Sequence, residues 1–82
     1  MNLPRDIDFS EVIKKLKKIG YMIDRQKGSH IRLKTEINGE HHITVPAPAH
    51  DPIKIGTLNN IILDVSEHMG ISKKEMIYKL FD

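Results

Sequence analysis

Histidine is the only side chain in this sequence that titrates unaided near neutral pH, and five are present: His30, His41, His42, His50 and His68. Of these, His30 has the most suggestive neighbours, because Lys27, Arg32 and Lys34 all lie within four residues of it. An imidazole among cations suits work on a phosphodiester. The ring can move a proton while the cations offset charge building on the phosphorus. Read from the residues alone, the plainer reading of His30 is an exposed strand histidine with no role. His41-His42 invites a metal reading, but adjacent strand residues point to opposite faces and do not share one ion. His30 with His42 would start a ligand pair for which no third ligand is fixed, so the residues assign no metal and no cofactor. Cysteine is absent, which removes thiol catalysis, thiolate metal sites and disulfides, and fits a reducing cytoplasm. No phosphate-cradling loop, dinucleotide fingerprint or nucleophile elbow occurs.

Charge is unevenly placed. Residues 1–34 carry nine Lys/Arg against four Asp/Glu, a balance of +5, whereas residues 35–82 carry four against seven, a balance of −3. A basic half points to an anionic partner, with nucleic acid first, although Lys14, Lys15, Lys17 and Lys18 also fit the solvated face of a helix. At 82 residues, 39% hydrophobic and 29% charged, the chain reads as a single globular domain over 1–82 with a thin core. The opening MNLPRDIDFS has no apolar stretch of the signal-peptide kind, and no apolar run is long enough for a membrane span.

The elements that must position these residues follow from periodicity. Val12, Ile13, Leu16 and Ile19 place an amphipathic helix over Asp8–Ile19. Asp8 and Glu11 form a capping box, with Ser10 a competing cap, and Gly20 ends the helix. Three alternating strands follow, at Tyr21–Arg25, Ser29–Thr35 and Glu40–Val45. Prolines make 46–56 a loop. Thr57 is expected to cap a second helix striped by Leu58, Ile61, Ile62, Val65 and Met69 and closed by Gly70. Ser72 and Glu75 begin a last helix through Phe81. The order α-β-β-β-α-α makes an α+β two-layer sandwich: an antiparallel three-stranded meander with helices on one face.

Parity of the apolar rows sets the turns. Three-residue loops, Gln26-Lys27-Gly28 and Ile37-Asn38-Gly39, pair Ile23 with Ile31, Tyr21 with Leu33, Leu33 with Ile43 and Ile31 with Val45. Tyr21, Ile23, Ile31, Leu33, Ile43 and Val45 then face the helices. Met22, Asp24, His30, Arg32, Lys34, His42 and Thr44 stand on the uncovered face. In this register Asp24 lies directly across from His30, where a carboxylate would hold one tautomer of the ring.

The stretch Arg25-Gln26-Lys27-Gly28-Ser29-His30 resembles the Gly-Ser-His signature of the HicA (YcfA-like) family of bacterial and archaeal toxins. Ile19-Gly20-Tyr21, Val45-Pro46 ahead of His50, Gly56-Thr57-Leu58 and Gly70-Ile71-Ser72 keep the family's order across residues 8–81. The resemblance implies a fold like a double-stranded RNA-binding domain. It also implies a metal-independent endoribonuclease, an mRNA interferase, restrained by a HicB-type antitoxin. The family's catalytic histidine falls on His30, with Gly28 and Ser29 in the same motif. Lys27, Arg32 and Lys34 are expected to hold the RNA backbone. The second proton-transfer group is open, with His42, His50 and Asp24 as candidates. His50 follows a longer lead, Pro46-Ala47-Pro48-Ala49, than the family pattern, and Asp24 comes from the register alone. A non-catalytic RNA-binding module is the alternative, and a basic surface docking an acidic protein is a third reading.

Overall fold

The computed structural model describes residues 7–46 and 53–81. Asp8 opens the first helix, α1 (Phe9–Lys18), by accepting the Glu11 amide at 2.9 Å on its Oδ1. Ile19 caps the far end, and Gly20 follows with φ +105°. The Gly20 amide donates to the Lys17 carbonyl and the Tyr21 amide to that of Leu16, a Schellman ending that turns the chain toward the sheet. Glycine suits position 20 because φ +105° strains any residue with a Cβ, and a Cβ there would also push aside the terminal methyl of Ile37.

β1 (Met22–Lys27), β2 (His30–Thr35) and β3 (His41–Pro46) form an antiparallel sheet in the order β1-β2-β3. α2 (Ile55–Met69) and α3 (Lys73–Phe81) complete the expected α-β-β-β-α-α layout. Val12, Ile13 and Leu16 of α1, Leu58, Ile61, Ile62 and Val65 of α2, and Met76, Ile77 and Leu80 of α3 share one core with Ile31, Leu33, Ile43 and Val45. α1 and α2 pack on β3, so the core lies under β3 and β2. β1 extends past this support, and all six of its residues are exposed. Ile23 was expected to face the core, yet it is 48% exposed, because none of the described helices packs closely on β1.

The β2–β3 register matches the sequence expectation, with Leu33 opposite Ile43 and Ile31 opposite Val45. The β1–β2 register does not. Lys27 pairs with His30, leaving Gly28-Ser29 as a two-residue turn instead of Gln26-Lys27-Gly28. Gly28 has φ +58° and Ser29 has no positive φ, the signature of a type II′ hairpin. Such a turn alone would set Asp24 against Leu33 and mix the faces. A β-bulge at Asp24 restores parity, so that Ile23 pairs with Leu33 and Met22 with Lys34.

α2 starts earlier than expected: Lys54 is its N-cap, without a side-chain bond, and Thr57 lies inside the first turn. At its other end Gly70 closes it in the left-handed conformation. Ser72 caps α3 as expected, its Oγ accepting the Glu75 amide at 3.1 Å. The Ile53 amide donates to the Ile7 carbonyl at 2.9 Å, tying the entry of α2 to that of α1.

Candidate functional site

Alternation along β2 places His30, Arg32 and Lys34 on the side away from the helices, between buried Ile31, Leu33 and Thr35. Residues paired directly across a sheet share a face, so Lys27 stands beside His30, and Arg25 beside Arg32. Lys27, Gly28, Ser29 and His30 make up the exposed tip of the hairpin. Arg25 was not among the expected site residues. Its place follows from the two-residue Gly28-Ser29 turn, which apolar parity alone rejects because it mixes the faces unless a bulge compensates.

Asp24 is not across from His30, because Lys27 holds that position. The Asp24 carboxylate instead lies 3.8 Å from Nε of Arg32. Nη2 of Arg32 lies 2.9 Å from Nδ1 of His42. A guanidinium only donates, so Nδ1 of His42 accepts and the ring carries its proton on Nε2. His42 pairs with Lys34, four residues along β2 from His30, which separates the two histidines by about 13 Å along the strand. His30 and His42 are therefore on one face but not at one point. His50 lies outside the described residues.

Lys34 is not a bare cation. Its Nζ is 3.1 Å from Glu40 and 4.0 Å from Glu36. The hydrogen bond and charge of Glu40 raise its pKa, and the same contact lowers that of Glu40. The positive charge left without a carboxylate partner among the described residues of this face thus gathers at Arg25 and Lys27, beside His30 at the hairpin's tip. His30 itself is exposed; the hydrogen-bonded histidines of the described chain are His41, His42 and His68.

On the helix side of the sheet His41 points away from His42, as alternation requires. Its Nε2 donates to Asp64 at 3.1 Å, and its Nδ1 accepts the Tyr21 hydroxyl at 2.8 Å. Its ring stacks on that of His68 at 4.3 Å. Nε2 of His68 donates to the carbonyls of Ile37 and Gly39. Asp64 and His68 are one helical turn apart, the only hint of this cluster in the sequence. It joins α2 to β3, to the chain entering β1 and to the β2–β3 turn. Both His41 ring nitrogens are engaged, which gives the cluster a structural part.

The family model for the HicA toxin of bacterial toxin–antitoxin systems matches residues 9–70, from the start of α1 to the glycine that closes α2. The chain belongs to the HicA toxin family. No curated protein and no solved structure gives a significant match. Membership of the HicA family makes the chain a toxin of a toxin–antitoxin pair and implies an antitoxin as its partner. The HicA match takes in the whole sheet and therefore the His30 hairpin, whereas α3 lies beyond it. Among the described residues no helix is long and apolar enough to cross a membrane.

Proposed function

We propose that this HicA-family toxin is an endoribonuclease that cleaves mRNA in the cytoplasm, with His30 as its general acid or base. The observation that carries this reading is the hairpin tip: an exposed imidazole paired with Lys27, with Arg25 and Arg32 two residues along on the same face. The chemistry is transesterification. The ribose 2′-oxygen attacks the adjacent phosphorus, the P–O5′ bond breaks, and a 2′,3′-cyclic phosphate and a 5′-hydroxyl result. His30 takes the 2′-proton or delivers a proton to the departing 5′-oxygen. Lys27 and Arg32 offset charge on the phosphorane. The backbone of Gly28-Ser29 lets the RNA approach closely, and Lys34 adds a screened positive charge further along. A HicB-type antitoxin restrains the enzyme by covering this tip.

A second reading keeps the RNA and drops the cleavage, because among the described residues no carboxylate or second imidazole pairs with His30. His30→Ala separates the two. The residue is exposed, so the variant should melt within about 0.5 kcal/mol of wild type. RNA binding should persist within a few-fold, while cleavage and toxicity on regulated expression fall by about 10²-fold or more. A folded His30→Ala protein that still cuts RNA would remove His30 from the chemistry. Wild type that binds RNA without cutting it would favour the binding module.

A further inference from the structure

Arg25 and Arg32 face each other across β1 and β2 on the open side of the sheet. Directly opposed side chains have Cβ atoms about 5 Å apart, and like charges there repel and destabilise the pair. Nothing on the sheet fully relieves this repulsion. Asp24 leans toward Arg32 at 3.8 Å, beyond hydrogen-bond reach, and Arg25 has no ion pair among the described residues. Arg32 is nevertheless held on two sides, by Asp24 at Nε and by His42 at Nη2. Of its five N–H donors, two face these neighbours and three remain. The Asp24 bulge lies at the edge of this rung, and bulges are over-represented beside functional sites, where they re-aim side chains.

We infer that Arg25 and Arg32 form a clamp for one phosphate oxyanion, which bridges the two guanidiniums and removes their mutual repulsion. Planar guanidiniums suit this geometry, since each can offer two parallel N–H donors to a pair of phosphate oxygens. The clamp is two residues along the strands, about 7 Å, from the Lys27–His30 pair and on the same face. Resting on the ribonuclease reading, the bound phosphate is the RNA phosphodiester neighbouring the one placed at His30. The next pair on this face is Met22 with Lys34, and Lys34 is already held by Glu40, so the cationic track ends at the clamp. Arg25 is accordingly a substrate-positioning residue, with Asp24 and His42 setting the pose of Arg32.

The test compares Arg25→Ala and Arg25→Lys with Lys14→Ala, which removes an equal charge from the exposed side of α1. Two probes are used: inorganic pyrophosphate, read by thermal melting at matched ionic strength, and single-stranded oligouridine, read by binding in a His30→Ala background. Pyrophosphate should raise the melting temperature of wild type and of Lys14→Ala but not of Arg25→Ala. In dilute chloride Arg25→Ala should melt at or above wild type, since the repulsion is gone. Oligouridine affinity should fall about ten-fold or more in Arg25→Ala, the loss of one charge-assisted pair of contacts, and part-way in Arg25→Lys. Lys14→Ala should stay within about two-fold. Equal losses in Arg25→Ala and Lys14→Ala would overturn the clamp while leaving cleavage by wild type intact. A wild-type protein that cuts no RNA, yet is stabilised by pyrophosphate through Arg25, would overturn the ribonuclease reading and keep the clamp.

Discussion

Glu40 decides how much of the open face is cationic. Its Oε1 sits 3.1 Å from Nζ of Lys34, and the contact holds the ammonium above the usual lysine range and the carboxyl below the usual glutamate range. An RNA phosphate reaching Lys34 must compete with this carboxylate. Glu40→Gln should therefore tighten RNA binding several-fold at low salt and steepen the salt dependence by about one counterion. Affinity that ignores Glu40→Gln would put Lys34 outside the footprint. Arg32 differs from Lys34, because its carboxylate neighbour stays at 3.8 Å. Of the expected phosphate-binding residues on β2, Arg32 is thus the more available.

The connection from α1 to β1 depends on two adjacent residues. Gly20 turns the chain from α1 into β1 at φ +105°, with Ile37 packed where a Cβ would be. Gly20→Ala should cost about 1–3 kcal/mol, since the backbone strain comes with displacement of Ile37. Thermal melting at neutral pH reads this, and a variant as stable as wild type would mean the α1–β1 connection can take another path. Tyr21, next along, is fully buried, and its hydroxyl ties this same connection to His41 of β3. Burial, with the Asp64 carboxylate adding to it, pushes the Tyr21 hydroxyl up to about 12. A raised phenol favours the neutral form in the fold. Its stabilisation is complete below the ordinary tyrosine pKa of about 10 and fades as pH rises toward the folded value. Tyr21→Phe should lose about 1 kcal/mol at neutral pH, and its deficit against wild type should shrink on the alkaline side. A constant deficit across that range would detach the titration from Tyr21.

At the scale of the whole molecule, the helices and the cations occupy opposite sides of a sheet whose first strand extends past its support. The core has no use for the outer hairpin, which leaves the tip free to meet RNA or the antitoxin. In the proposed reading both compete for one surface. An antitoxin that covers Lys27 and His30 should present carboxylates there, and its complex should be silent in an RNA-cleavage assay. Raising salt should weaken the complex and release activity together. A stoichiometric complex that still cleaves RNA would show that restraint acts elsewhere.

Much of this was legible in the residues. Asp8, the Val12–Ile13–Leu16 stripe and Gly20 bound the first helix, because capping and periodicity are local. The β2–β3 register was legible too, since both strands have one buried face and a one-residue slip would expose Ile31, Leu33, Ile43 and Val45. The open face carrying His30, Arg32, Lys34 and His42 follows from the same alternation. What only the tertiary structure decided lies on β1. None of the described helices supports that strand, so burial does not select its register, and a tight turn with a compensating bulge replaces the simpler hairpin. That choice moves Asp24 from His30 to Arg32 and sets Arg25 opposite Arg32. The contact of Lys34 with Glu40 likewise depends on how the β2–β3 turn brings their side chains together, which periodicity does not encode. Local patterning places residues on faces; which charges meet on a face is settled by the register of strands that the core does not constrain.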